Sequence, residues 1–404
     1  MIKILPCVVG LGYVGLPIFL RLQKKFKTIG FDIDENRIYN LNQKKDQNKE
    51  YISKDLKKKN ESIFTNKKSL IKNSNFYIIT VPTPIFKNNK PNLKFLEDAT
   101  NLVAKNIKKG DIVFYESTVY PGVTKKMTKI IEKISNLKSF KNFWVGYSPE
   151  RVNPGDKTKT VDKISKIVSF PKCPKNVKNT ILKLYKSITP KIILTNFIEE
   201  AETSKVIENI QRDINIAFMN EIMMICDRLN INFHNVKKLA STKWNFLNFA
   251  PGLVGGHCLP VDPYYLYDLS KKKKYDAKFI LAGRNVNNNV KNFIINKVNN
   301  IIKSKKLKKI IIAGISFKKN VLDIRNSLSL SIFKQLKKNK SLKVDAVDPL
   351  VDNKSLKLKN IKNLIFKNYD LVVFLVNHDV LYKSLKKFKK KNKEKIFDIF
   401  KFLN

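Results

Sequence analysis

The sequence predicts an α/β protein in which two doubly wound parallel sheets are joined by a long central helix and a helical middle. Three observations carry this expectation. In the N-terminal half, short apolar runs alternate with stretches of helical period. Between about residues 197 and 230 the alternation gives way to one long helical periodicity. After a basic stretch, Lys305–Lys309, a second strand–helix series begins at Ile310. These transitions divide the chain into segments 1–196, 197–304 and 305–404.

Taken in order, residues 2–9 form an apolar run that stops at Gly10 and passes into a helical pattern. Pro6 lies within this run, a position that suits an edge or the start of a strand. Ile29–Ile33 is the second strand, with Asp32 near its end, and Phe76–Val81 the third. Ile112–Glu116 and Phe143–Tyr147 follow as the fourth and fifth. Apolar runs separated by helices are the pattern of a parallel sheet. In the middle segment Ile207, Ile210, Ile214, Phe218 and Ile222 recur at helical spacing, and a further helix is expected over 276–304. Ile310–Ala313, Val344–Val347, Leu371–Val376 and Ile396–Ile399 supply the strands of the last segment.

At 404 residues, two or three domains are expected, and 43 % hydrophobic residues are enough to fill their cores. No run of about 18 apolar residues indicates a membrane span. The N-terminal apolar stretch runs straight into a glycine motif and lacks a signal-peptide layout. A cytoplasmic protein without a membrane partner is expected. The net charge of +47 invites a nucleic-acid reading, yet only seven of the 80 basic residues are Arg. The lysines are spread along the chain beside Asn and Ile, whereas a nucleic-acid reader concentrates its basic residues and favours Arg. The charge is therefore read as a solvated lysine surface that attracts a small anionic substrate, with no specific nucleic-acid partner. Four cysteines without a C-x-x-C pair, and only three His, argue against a structural metal or a disulfide framework.

Gly10, Gly12 and Gly15 spell G-x-G-x-x-G, with Tyr13 and Val14 inside it, between a strand and a helix. The first glycine allows a tight turn, the second lets a pyrophosphate approach the backbone, and the third lets helix and strand pack closely. The helix N-terminus then faces the phosphates. Asp32, at the end of the next strand, is placed to accept the ribose hydroxyls and disfavours a 2′-phosphate, so NAD is expected rather than NADP. Arg37 is placed near the adenine. The alternative is a glycine-rich turn that holds no cofactor. Three further turns follow strands and so occupy the edge where open α/β sheets bind ligands. They carry Pro82 and Thr83, then Thr118, then Glu150, Arg151 and Val152.

Cys258 sits between Gly255-Gly256-His257 and Pro260-Val261-Asp262-Pro263, a loop context in which backbone can approach a ligand. Cys7 and Cys226 read as core residues, and Cys173 as a loop residue. On the long helix Lys205, Asn209 and Arg212 fall at i, i+4 and i+7, in one stripe. That stripe is either a solvated charged face or part of a site.

Together these runs resemble the UDP-glucose/GDP-mannose dehydrogenase family over essentially the full length. The likeness is carried by GLGYVGLP at 10–17, VPTP at 81–84, YESTVYPG at 115–122 and YSPERVNPG at 147–155. It continues in KVIENIQRD at 205–213, KWNF at 243–246, PGLVGGHCLPVDPYYL at 251–266 and DIRNS at 323–327. The SPERVNPG and KWNF blocks resemble the branch that acts on UDP-N-acetylglucosamine or its galacto epimer, ahead of UDP-glucose or GDP-mannose.

The resemblance implies a Rossmann-like NAD-binding domain over 1–196, a helical dimerisation domain with the cysteine loop over 197–304, and a UDP-binding domain over 305–404. It implies a four-electron oxidation of the sugar's sixth carbon through a thiohemiacetal and a thioester on Cys258. In it, Lys205 moves the proton and steadies an oxyanion, Asn209 is its polar partner, and Asp262 an activating acid. Thr118 and Glu150 surround the catalytic water. Glu150, Arg151, Val152, Lys205, Asn209, Arg212, Gly255, Phe317, Lys318 and Arg325 bind substrate, the last two suiting its diphosphate. Arg284 matches an arginine that reaches the site of a neighbouring subunit, which implies a homodimer or a higher homo-oligomer. Four of the seven arginines (151, 212, 284 and 325) fall on such positions. Two positions depart from the pattern. Lys319 stands where relatives often carry an acid, and Ala250 where they often carry a base. A two-electron hydroxyacid dehydrogenase of similar N-terminal fold is the competing reading, although it needs neither the Cys258 loop nor a second α/β domain.

Overall fold

In the computed structural model, which describes residues 3–152, 158, 160–351 and 356–403, strand β1 (Pro6–Val9) leads into the glycine motif and α1 (Gly15–Leu22) leaves it. The strand starts at Pro6 itself, the one interior-sheet position where a missing N–H is tolerated, because β1 is central in its sheet. The sheet continues with β2 (Ile29–Phe31), β3 (Ile63–Thr65), β4 (Phe76–Ile79), β5 (Ile112–Tyr115), β6 (Trp144–Tyr147), β7 (Lys166–Ser169) and β8 (Ile192–Thr195). Its order is β3-β2-β1-β4-β5-β6-β7-β8. All neighbours run parallel except β6 and β7, which pair antiparallel. The helices α2 (Glu35–Asn42), α3 (Lys94–Ala104), α4 (Val123–Ser135) and α5 (Lys175–Ile188) cover it.

The central strands β1, β4 and β5 are apolar and buried at every position because both faces of the sheet are covered there. Val8, Ile78 and Phe114 enter the core shared with α1 and α5. Their neighbours Cys7, Val9, Tyr77, Ile79, Val113 and Tyr115 enter the opposite core, with α3 and α4. Strands β3, β7 and β8 have no counterpart in the strands read from sequence. They are short, and β7 opens on a lysine within a lysine-rich stretch.

Two compact units account for the chain: Met1–Glu208 with Tyr264–Leu269, and Asn209–Pro263 with Ser270–Asn404. The long helix α6 (Ile198–Arg228) and α8 (Asp262–Lys272) contribute residues to both. The second unit also holds α7 (Phe233–Ala240) and α9 (Lys278–Ser304). Its sheet, in the order β10-β9-β11-β12, is parallel throughout. Those strands are β9 (Lys309–Ala313), β10 (Lys343–Val347), β11 (Leu371–Phe374) and β12 (Ile396–Phe397), with helices α10 (Leu328–Leu336) and α11 (Asp379–Lys389). Ile310 and Ile312 of β9 pack with Val290, Ile294 and Val298 of α9, and Ile332 of α10. Ile311 and Ala313 face the other way, toward Leu381 and Leu385 of α11. No helix among the described residues is long and apolar enough to cross a membrane.

The apolar residues of α6 do not form the single buried face that their spacing predicts. Ile210 is buried, whereas Ile207 and Phe218 are exposed. The buried face instead includes polar groups. Asp213, fully enclosed, accepts from Arg284 of α9 at 2.5 Å and from Asn287 at 2.7 Å, and Asn287 Oδ1 takes a bond from Asn220 at 2.8 Å. Removing one partner of such a pair strands a buried charge. Asp213→Ala is therefore expected to lower the unfolding free energy by about 3–5 kcal/mol. Thermal or urea unfolding checks this, and a loss under about 1 kcal/mol would refute it.

Candidate active site

The first unit builds a cradle around the glycine motif. Gly10 takes φ +93, and Gly15 packs so tightly that a Cβ there would lie 1.8 Å from the Gly10 carbonyl oxygen. A Cβ on Gly12, by contrast, would meet nothing within 4 Å. The tight turn, the close helix contact and the open space over the second glycine are the three features a pyrophosphate needs. Thr80 Oγ1 ties the turn down by donating to the Gly10 carbonyl at 2.6 Å. Asp32 accepts the Leu11 N–H at 2.7 Å through Oδ2 and the Asp34 N–H at 3.0 Å through Oδ1. A carboxylate has lone pairs beyond these two bonds, so it remains able to accept a ribose hydroxyl. Tyr13 and Val14 are half-buried beside Gly12. The residues present therefore fit NAD.

The Arg37 guanidinium, expected near the adenine, is buried, donating from Nε to the Leu11 carbonyl at 2.9 Å and pairing with the enclosed Asp46 at 2.7 Å. It braces the glycine turn from behind.

The turns beyond the strands bond to one another. Thr83 Oγ1 donates to the Thr118 carbonyl at 2.6 Å, Ser117 Oγ to the Val81 carbonyl at 2.6 Å, and Tyr265 OH to the Thr83 carbonyl. Pro82, between them, is exposed. Glu202 of α6 caps α4 by accepting the N–H groups of Gly122 at 2.6 Å and Thr124 at 2.8 Å. Burial, only partly offset by these bonds, pushes its carboxyl up to about 7.

Glu150, after β6, is enclosed. Its Oε1 accepts the N–H groups of Arg151 at 2.7 Å and Val152 at 2.6 Å, and its Oε2 lies 3.1 Å from Lys166 Nζ. Burial works against its charge, but the Lys166 ammonium and the two N–H groups outweigh it and hold the carboxyl below the usual range. The same ammonium lies 2.6 Å from Glu116, which also accepts from Tyr185 OH at 3.0 Å. Arg151 pairs with Glu208 of α6. Asn153, Pro154 and Gly155 of the same motif lie outside the described residues. Lys205 is nearly enclosed at 8 % exposure and makes no ion pair among the described residues.

In the second unit the cysteine loop is built against the turn that precedes α10. Gly255 sits where a Cβ would lie 2.7 Å from the Asn326 carbonyl oxygen and 2.9 Å from Phe317 Cβ. Gly256, at φ +92, would drive a Cβ into the Phe317 ring. Its N–H donates to the Arg325 carbonyl at 3.3 Å, and Asn326 Nδ2 donates to its carbonyl at 2.9 Å. Cys258 is thereby held on an exposed loop, while Cys7 and Cys226 are buried and Cys173 intermediate. Its carbonyl accepts the N–H groups of Val261 at 2.9 Å and Asp262 at 2.8 Å, starting the turn that becomes α8. Asp262 is buried and accepts from Asn209 Nδ2 at 2.5 Å. Arg212, one turn further along α6, is exposed. The stripe on α6 therefore passes from enclosed Lys205 through half-buried Asn209 to exposed Arg212, unlike a uniformly solvated charged face.

Asp323 organises the neighbouring turn. It bonds His257 Nε2 at 3.0 Å and Arg325 Nη2 at 2.6 Å. Burial opposes its ionisation, yet His257 and Arg325 hold its carboxyl well below the usual carboxylate range. Arg325 stays exposed beyond this pair, Phe317 and Lys318 are half-buried, and Lys319 pairs with Asp379 at 2.7 Å. Arg284, at 1 % exposure, is paired with Asp213 within its own unit.

Lys166, Glu116, Glu202 and Asp323 are the charged groups that the sequence reading did not assign. A lysine among 80 basic residues carries no local signal. Asp323 and Glu116 stood inside recognised runs, which is the one clue that marked them.

The NAD binding domain of the UDP-glucose/GDP-mannose dehydrogenase family matches residues 4–189, its central domain 199–289 and its UDP binding domain 311–404. The chain is 42 % identical to Protein CapL of Staphylococcus aureus over 391 residues, covering 92 % of this chain and 89 % of that protein. It is 40 % identical to a UDP-N-acetyl-D-glucosamine 6-dehydrogenase of Salmonella typhi over 381 residues, again covering 92 % and 89 %. The solved structure of a UDP-D-ManNAc dehydrogenase from Pyrococcus horikoshii superposes with a TM-score of 0.85 at 29 % identity, over 97 % of this chain and 93 % of that one.

Proposed function

This chain belongs to the UDP-glucose/GDP-mannose dehydrogenase family, and from that membership we propose that it oxidises the sixth carbon of a UDP-N-acetylhexosamine to the UDP-uronate. The single observation that carries the reading is an exposed Cys258 on a double-glycine loop seated against Phe317 and the Asp323–Asn326 turn. The product suits surface polysaccharide synthesis, and the protein is read as a cytoplasmic enzyme.

Gly10, Gly12 and Gly15 would hold NAD, which would supply the hydride acceptor for both oxidations. Lys205 takes the proton of the sixth-carbon hydroxyl and then steadies the oxygen of the aldehyde. Its enclosure, with no ion pair among the described residues, leaves its nitrogen uncommitted to a carboxylate there and favours that role. The Cys258 thiolate adds to the aldehyde, and the adduct after the second oxidation is a thioester. Asn209 and Asp262, bonded to each other, orient the groups beside the thiol. Thr118 and Glu150 hold the water that releases the acid. Lys318 and Arg325 bind the diphosphate, Arg325 being pre-aimed by Asp323. Arg151, Val152, Arg212, Gly255 and Phe317 line the sugar nucleotide, while Tyr13, Val14, Asp32, Pro82 and Thr83 serve the dinucleotide.

We assign a homodimer or higher homo-oligomer on a different observation. Ile207, Phe218, Ile225 and Leu229 stand exposed on α6 at spacings of one helical face, an apolar stripe that a monomer leaves in water.

The test compares turnover of UDP-N-acetylglucosamine, UDP-N-acetylgalactosamine, UDP-glucose and GDP-mannose side by side. The expected result is preference for an N-acetylhexosamine with about two NADH per uronate. A ratio near one would place the enzyme among two-electron dehydrogenases instead.

A further inference from the structure

We propose that Lys166 is a positioning residue for the hydrolytic step, its buried ammonium holding the Glu150 carboxylate ionised and aimed at the attacking water. The proposal rests on the role given above to Glu150.

Topology brings the group there. Glu116 and Glu150 follow β5 and β6, so both lie at the carboxyl edge of the parallel strands. A further parallel strand would deliver its last residue to that edge. Strand β7 runs antiparallel to β6 and delivers its first, Lys166. The ammonium then lies 2.6 Å from Glu116 Oε2 and 3.1 Å from Glu150 Oε2, with Lys166 fully enclosed. Both oxygens of Glu150 are committed, Oε1 to two backbone N–H groups and Oε2 to the lysine. The carboxylate therefore has one orientation.

Burying three ionisable groups is costly, and packing alone needs none of them. Two carboxylates share one ammonium, so a proton arriving at this cluster must choose between them. The titratable groups bonded within it are Glu116 after β5, Glu150 after β6, Lys166 of β7 and Tyr185 of α5. Burial pushes the Glu116 carboxyl up to about 7, while Glu150, with its N–H donors, stays below the usual range. As pH falls, Glu116 takes the proton first and Glu150 remains a base.

That matters for one step. Water oxygen bonds to the thioester carbon, the carbon–sulfur bond breaks, and its electron pair returns to the Cys258 sulfur. One water proton passes to Glu150, and the other leaves as the product acid ionises. A protonated Glu150 cannot accept, so hydrolysis fails on the acid side of its titration.

The experiment follows NADH formation and uronate release separately across pH, in the intact protein with UDP-N-acetylglucosamine and NAD. In Lys166→Met, the acid limb of uronate release is expected to move up by about one pH unit or more, because an opposite charge beside the carboxylate is lost. The first NADH burst should keep its rate, and Lys166→Arg should restore the limb. If Lys166→Met does not fold, the double variant Lys166→Met/Glu116→Gln carries one buried carboxylate fewer and should show the same displaced limb. An unchanged limb in a folded variant overturns the proposal, provided Glu150→Gln slows release. If Glu150→Gln releases uronate at the parental rate, the role of Glu150 itself is wrong and the proposal falls with it.

Discussion

Cys258→Ser is expected to reduce uronate formation by on the order of a thousandfold or more while leaving the fold and NAD binding intact. A serine hydroxyl offers almost no alkoxide near neutral pH, whereas a thiol supplies a usable fraction of a soft, strongly nucleophilic anion. Without that anion the aldehyde is not captured, and the second oxidation has no adduct to act on. The substitution is structurally mild because Cys258 is exposed and its loop is anchored by main-chain bonds at Gly256 and by Asn326. Product analysis together with thermal unfolding checks both halves. Uronate released at the parental rate would remove the thioester from the mechanism.

Gly15→Ala is expected to abolish NAD binding and to cost about 1–3 kcal/mol of stability. The added methyl would lie 1.8 Å from the Gly10 carbonyl oxygen and 2.4 Å from Thr80 Oγ1, distances that real carbon atoms do not reach. Neither obstacle yields cheaply. The carbonyl is backbone, and the hydroxyl is itself bonded to it at 2.6 Å. Helix α1 must therefore withdraw from β1, carrying its N-terminus away from the phosphates. Gly12→Ala provides the contrast, since a Cβ there meets nothing within 4 Å. That variant should unfold at the parental temperature yet bind NAD poorly, because the methyl occupies pyrophosphate space. Equal stability of the two variants would contradict the packing argument, and NAD binding retained in both would move the cofactor site elsewhere.

Much of the candidate site was legible because it is written in short runs whose residues have local reasons to be together. Gly10, Gly12 and Gly15 meet a turn, an open surface and a packed helix within six residues, and the structure shows each. Cys258 was distinguishable from Cys7 and Cys226 by its loop and from Cys173 by the double glycine before it, and it alone of the four is exposed. Charge partners were not legible. Arg37 has the spacing of an adenine contact, yet Asp46 and the Leu11 carbonyl claim it. Arg284 matches a residue that reaches outward, yet Asp213 of another helix encloses it. On α6 the isoleucines follow one period, but Ile210 lies inside while Ile207 lies outside, because a long helix can present two apolar faces.

By itself the sequence determined the class of fold, the glycine turn of the NAD binding domain and which cysteine follows a double glycine on a loop. Each depends on steric or periodic properties of residues within a few positions of one another. Tertiary structure alone decided the reversal of β7, the placement of Lys166 on both Glu116 and Glu150, and the enclosure of Arg37 and Arg284. Ion pairs and strand direction join groups far apart in the chain, and a charged side chain carries no mark of the partner it will meet when water is excluded.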